Sequence, residues 1–315
     1  MTSVSSQPSI DRASRSDGSF ARRAAQGSLA AALWTLYVLT LRQHLHGKRW
    51  MVMGLLFLLP AGLAVLMRVT SPDVPAPALE FFLVWIFIPQ ALLPLVALLY
   101  ASGIIQDEQE EQTITYLLVR PIPKWALYLV KLLATFTTTV ILTAIFTGLT
   151  FAAIYFGENA PPYGGQNLAG ESIPLRSLKT IAIQALAVIS YCSLFGLMSL
   201  VTKRILVVGI LYIAVVEGVL ANFPFGIRLV TVIYYSRLVA YRTLTFMVPT
   251  PGGGSMQDVA AEAWQLDVRA DPGLLEHPQF GMCVKVLLTS SAVCAIVAAW
   301  ICSRREFHVK TPEKD

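Results

Sequence analysis

The chain has 315 residues, 55% of them hydrophobic and 14% charged, with a mean hydropathy of +0.62. Several long apolar runs must therefore be accommodated outside water, which excludes an ordinary soluble domain and points to an integral membrane protein. The net charge of +5 would suggest nucleic acid in a soluble protein, but here it maps onto one side of a bilayer, and no nucleic-acid partner is expected.

In chain order, residues 1–27 are rich in Ser, Ala and Arg with little to bury, and they are expected to form a disordered cytoplasmic arm. The pair Arg22 and Arg23 lacks the flanks and cleavage site of an export signal. In "SLAAALWTLYVLTLRQHLHGKRW", Leu29, Leu33, Leu36, Tyr37, Leu41 and Leu45 recur at helical spacing. This predicts an amphipathic helix at the inner interface, with a short extra transmembrane helix as the alternative. His44 and His46 have no third ligand nearby and read as solvated interfacial histidines.

Six segments can then cross a hydrocarbon core of about 30 Å. They are residues 50–68, 81–105, 125–156, 177–201, 205–223 and 281–302. The third is long enough that its first turns, with Lys131, are expected to protrude or snorkel. Pro60, Pro89 and Pro94 fall inside the first two spans, where a membrane helix can kink and be supported by neighbours. Lys203, Arg204 and the basic tail after the last span place both termini in the cytoplasm, which makes the chain a multi-pass protein of the inner (plasma) membrane. The predicted fold is all-α, with a transmembrane domain over 28–303 and a cytoplasmic tail over 304–315. Cys192, Cys283, Cys294 and Cys302 have no metal or CxxC spacing and read as small core hydrophobes.

The loops 69–80 and 157–176 read as exposed outer turns. The last connection, 224–280, begins with "FGIRLVTVIYYSRLVAYRTLTFM", apolar but interrupted by Arg228, Arg237 and Arg242. It is expected to lie in, or dip into, the outer interface as interfacial or re-entrant helices. A short helix is expected around 256–267.

The stretch "DEQEEQTITYLLVRP" at 107–121 carries acids that would cost on the order of 10 kcal/mol near a bilayer centre. It must stand in water. Asp107, Glu108, Glu110 and Glu111 are expected to begin a short helix, Ile114, Leu117 and Leu118 to form its apolar edge, and Pro121 with Pro123 to stop it. Lys124 and Trp125 return the chain to the interface. Such an element suits a groove on a cytoplasmic partner, or it is a solvated turn.

Glu217 is the one acid well inside a predicted span, so it either lines a cavity or meets a partner such as Arg228 or a polar residue on another span; otherwise it sits close enough to the outer interface to be hydrated. Gln90 and Gln184, with Thr135, Thr137, Thr138, Thr139, Ser190 and Ser193, offer helix-packing hydrogen bonds or a polar route. No metal site or catalytic residue is evident, and HExxH and GxSxG are absent. "GQNLAGES", Gly165 to Ser172, has phosphate-loop spacing, but Glu171 stands where a lysine should meet phosphate, and "PGGGS" at 251–255 lacks the lysine and helix. Any nucleotide chemistry must come from another chain.

The pattern over 105–131, "IQDEQEEQTITYLLVRPIPKWALYLVK", resembles the first cytoplasmic loop of permease subunits of type-two ABC exporters. Glu108, Glu111, Thr113, Leu117, Leu118, Pro121, Lys124 and Lys131 carry the resemblance. Gln112 stands where the family commonly has glycine. The resemblance implies a coupling helix that contacts a separate cytoplasmic ABC ATPase subunit, which would hold ATP and magnesium. It also implies a homodimer or heterodimer of permeases within membrane lipid. A non-transport scaffold or sensor docking a partner through 107–120, and a self-contained secondary carrier, are the competing functions; the carrier is disfavoured because no inverted repeat is evident. The cargo is not legible.

Overall fold

A computed structural model describes residues 29–110, 123–156, 172–222, 226–249, 256–266 and 277–304; for 105–110 only the backbone course is described. The first span, Lys48–Thr70, is apolar all round and carries Pro60 internally, whose freed carbonyl is tolerable where neighbouring helices pack. A helix over 29–46 precedes it, separated by a bend at Gly47. This helix is not solvated on its inner side: Leu36 packs on Leu127, and Tyr37 donates to Thr137 Oγ1 at 3.0 Å. His44 is held as well, 3.2 Å from Thr138 Oγ1 and edge-on to Tyr100, which corrects the expectation of a solvated side chain.

The second span starts earlier than its hydropathy suggests, as Ala76–Glu80, and continues as a π-helical stretch, Phe81–Leu92, before becoming α-helical over Leu93–Glu110. Pro89 lies within the π stretch. The third span is Lys124–Tyr155, the fourth Ile173–Val201 and the sixth Phe280–Arg304. The fifth comprises Ile205–Tyr212, a second π stretch Ile213–Val219 and a 3-10 turn Leu220–Asn222. Among the described residues, six helices are thus long and apolar enough to cross a membrane, and the architecture is that of an all-α integral membrane protein.

The fourth span is the hub, packed against the second, third, fifth and sixth. Around it Tyr128, Tyr191, Phe195, Leu93 and Leu98 form a fully buried core. The first, fifth and sixth spans turn much of their apolar surface outward. Gly209 brings the fifth span onto the second: a Cβ there would collide with Leu98 Cδ1. Gly209→Val is accordingly expected to destabilise the bundle by about 1–3 kcal/mol, and Leu98→Ala to restore part of the loss. Thermal unfolding in lipid nanodiscs reads both.

Chain alternation sorts the connections to two ends. The near end carries the 29–46 helix, the approach to 123 and the end of the sixth span, and there Cys302 lies 3.6 Å from the Lys124 carbonyl. At the far end, the 3-10 turn Gly226–Val230 leads into a helix, Val232–Thr243, that starts among the spans rather than above them: Val232 packs on the core cluster of the fourth span. This helix is thus set among the spans, the placement expected of a re-entrant helix. The polar half departs from expectation. It forms a hairpin of β1 (Met247–Pro249) and β2 (Met256–Asp258), antiparallel with Met247 opposite Asp258, followed by a helix of only Val259–Ala263. Asp258 accepts from the N–H groups of Ala260 and Ala261 and so starts that helix, a role that a helix beginning at 256 would have denied it.

Candidate functional site

At the near end, the helix of the second span runs on through Asp107 and Glu108 to Glu110. These acids therefore extend a span, which corrects the expectation that they begin a separate helix. Glu111, Thr113, Ile114, Leu117, Leu118 and Pro121 lie outside the described residues. Lys124 is the first residue of the third span, with Pro123 as its N-cap. Two turns further, Lys131 is buried rather than snorkelling, and its Nζ donates to the Ile104 carbonyl at 3.2 Å. An ammonium buried this deeply needs acceptors, and a carbonyl in the last turns of the second span supplies one where the helix dipole is negative. The two spans that flank the predicted docking loop are joined at its base.

The polar side chains of the third and fourth spans mostly bind helix to helix. Gln184 accepts from Thr147 Oγ1 at 2.6 Å and donates to the Val84 carbonyl at 3.1 Å, tying the second, third and fourth spans together. Ser193 meets Ser291 at 2.7 Å, and Ser190 donates to the Leu287 carbonyl. Thr135 and Thr139 turn back on carbonyls four residues earlier in their own helix. These bonds pack helix against helix.

Glu217 is fully buried in the π stretch of the fifth span. Its partner is not Arg228, whose guanidinium lies over the Tyr234 ring, but the start of the re-entrant helix. The carboxylate accepts from the N–H groups of Val232 and Ile233 at 3.0 and 3.1 Å and from the Tyr212 hydroxyl at 3.1 Å. Two N–H groups that no carbonyl of their own helix can satisfy thus meet a negative charge at the positive end of the dipole. One turn on, Arg237 donates to Asn222 Oδ1 at 2.9 Å and to Gln90 Oε1 at 3.4 Å. The re-entrant helix is therefore gripped by the fifth span twice and by the second span once. Glu217 and Gln90 each lie in one of the two π-helical stretches, where the wider turn alters which face a side chain presents.

A third cluster closes the far end, and sequence reading missed it. Glu80, assigned to an exposed loop, is buried; it pairs with Arg176 Nε at 2.6 Å and accepts from the Tyr155 hydroxyl at 2.6 Å. Arg68 donates to the Ile154 carbonyl beside it. Phe81, Trp85, Phe246 and Trp264 stack edge-on next to this pair, with Arg176 over Phe246 and Arg237 over Trp264. The available signal was a lone acid and a lone arginine, each immediately before its apolar run. His277, bonded to the Tyr234 hydroxyl at 3.0 Å, is held below the usual imidazole range by burial and by Arg228 and Arg242.

No curated protein matches the chain. The family model described as ABC-2 family transporter protein matches residues 45–234, more than half of the chain and all of the first five spans. With six membrane-crossing helices around that segment, the chain belongs to the ABC-2 transporter family and is a multi-pass permease component of an ABC transporter.

Proposed function

We propose that this permease exports its cargo across the plasma membrane, driven by a separate cytoplasmic ABC ATPase subunit that holds ATP and magnesium and docks on residues 107–124. It works as a pair of permeases, two copies or one with a paralogue, each with its ATPase. The observation that carries the reading is the join between Lys131 and Ile104. A push on the loop between those spans moves both, and the second span reaches the re-entrant helix through Gln90. The sequence supports the division of labour, because Glu171 opposes phosphate where a phosphate loop needs lysine.

Leu117→Asp with Leu118→Asp is expected to weaken association with the ATPase by at least about tenfold, as loss of a buried apolar edge at an interface should. Co-purification from native membranes reads the loss. Wild-type association in the double variant, with transport unchanged, would remove the docking role. Vesicles containing this chain alone are expected to show no transport driven by an ion gradient; a gradient-driven flux would support the carrier instead.

A further inference from the structure

Among the described residues, two indoles and a guanidinium at the far end have side-chain donors with no acceptor. Trp85 Nε1, Trp264 Nε1 and Arg237 Nε are buried without an acceptor among the described residues, and the residues are 2%, 7% and 7% exposed. They come from the second span, the end of the short helix after the hairpin, and the re-entrant helix, yet they form one cluster. The two indole rings lie 6.4 Å apart, centroid to centroid, and the Arg237 guanidinium is 5.9 Å from the Trp264 ring. Native proteins rarely leave one such donor unsatisfied, and three together mark a place where an acceptor belongs.

The charge has a sign as well. The other two nitrogens of Arg237 meet the neutral amide oxygens of Asn222 and Gln90, and among the described residues it forms no ion pair. The charge of Glu217 reaches Arg237, but its oxygens are committed to Val232, Ile233 and Tyr212, while Arg176 is already paired with Glu80. The cluster therefore offers a guanidinium with no ion pair among the described residues, two indole N–H groups and apolar ring walls. Water would satisfy the donors but would bring no negative charge to the guanidinium.

We propose that this cluster binds the oxyanion headgroup, phosphate or carboxylate, of an amphiphile, with Arg237 Nε and the indoles of Trp85 and Trp264 donating to it and the rings of Phe81 and Phe246 meeting its apolar part. Binding needs neither ATP nor a partner subunit, so it stands apart from the transport proposal. Phosphate and carboxylate share the recognition chemistry, and separate probes distinguish them.

The full chain in phosphatidylcholine nanodiscs is titrated with dioleoyl phosphatidic acid, with oleate and with inorganic phosphate, and the rise in melting temperature gives a Kd for each. A saturable rise with phosphatidic acid alone identifies a phosphate-headed amphiphile, a rise with oleate as well a general oxyanion amphiphile, and a rise with inorganic phosphate alone would overturn the amphiphile. Trp85→Phe with Trp264→Phe keeps the rings, removes both donors and is expected to raise Kd about tenfold. Arg237→Gln is expected to abolish the rise; should that variant not fold, the tryptophan pair carries the test. No saturable rise with any probe, or equal Kd values for the wild type and the tryptophan variant, would overturn the proposal.

Discussion

Arg176→Ala is expected to be the most damaging single change in the chain, costing about 3–5 kcal/mol of stability. Glu80 and Arg176 are 1% and 5% exposed at their side chains, so neither can turn to water when the other is removed. Truncating the arginine leaves Glu80 with the Tyr155 hydroxyl alone, an unpaired charge in an apolar setting. The same reasoning predicts that replacing both members by apolar residues of similar size, Glu80→Met with Arg176→Met, is milder than Arg176→Ala, because no charge is stranded. Thermal unfolding in nanodiscs orders the variants. If Arg176→Ala melted with the wild type, the pair would contribute nothing to holding the second and fourth spans together.

Glu217→Ala is the second large effect. It deprives the Val232 and Ile233 N–H groups and the Tyr212 hydroxyl of their acceptor, at about 1–3 kcal/mol for each donor left unsatisfied. The loss falls locally, at the start of the re-entrant helix, so hydrogen exchange at Val232 and Ile233 is expected to accelerate while the third and fourth spans stay protected. Glu217→Gln keeps one acceptor oxygen but loses the charge and should fall between the two. Unchanged exchange in Glu217→Ala would mean that the carboxylate does not hold this helix.

The spans were legible because their signal is length and hydropathy, and their bounds moved by only a few residues. At the start of the second span a side-chain partner accompanies the shift: Glu80, at the end of Ala76–Glu80, meets Arg176, and a pairing 96 residues apart leaves no trace in local composition. Lys131 illustrates the same limit. Hydropathy sends a lysine in the first turns of a long span to the interface, whereas the Ile104 carbonyl on the neighbouring helix keeps it inside. Glu217 was recognisable as a costly buried acid, but its partners are backbone N–H groups, which every residue carries and no sequence pattern marks. Arg237 was visible as a charge in an aromatic stretch; that it reaches Gln90 depends on a re-entrant path the sequence suggests only in outline. The π-helical stretches were invisible, since Phe81–Leu92 and Ile213–Val219 have the composition of any apolar helix.

The central claim, that this permease is driven through residues 107–124 by a separate ATPase, is tested most directly by a photo-crosslinking residue placed at Leu117 or Leu118 in native membranes. The account predicts one predominant adduct at each position, with an ABC ATPase subunit identified by mass spectrometry, and its loss when the other leucine is replaced by aspartate. Adducts only with lipid or with unrelated proteins at both positions would contradict it.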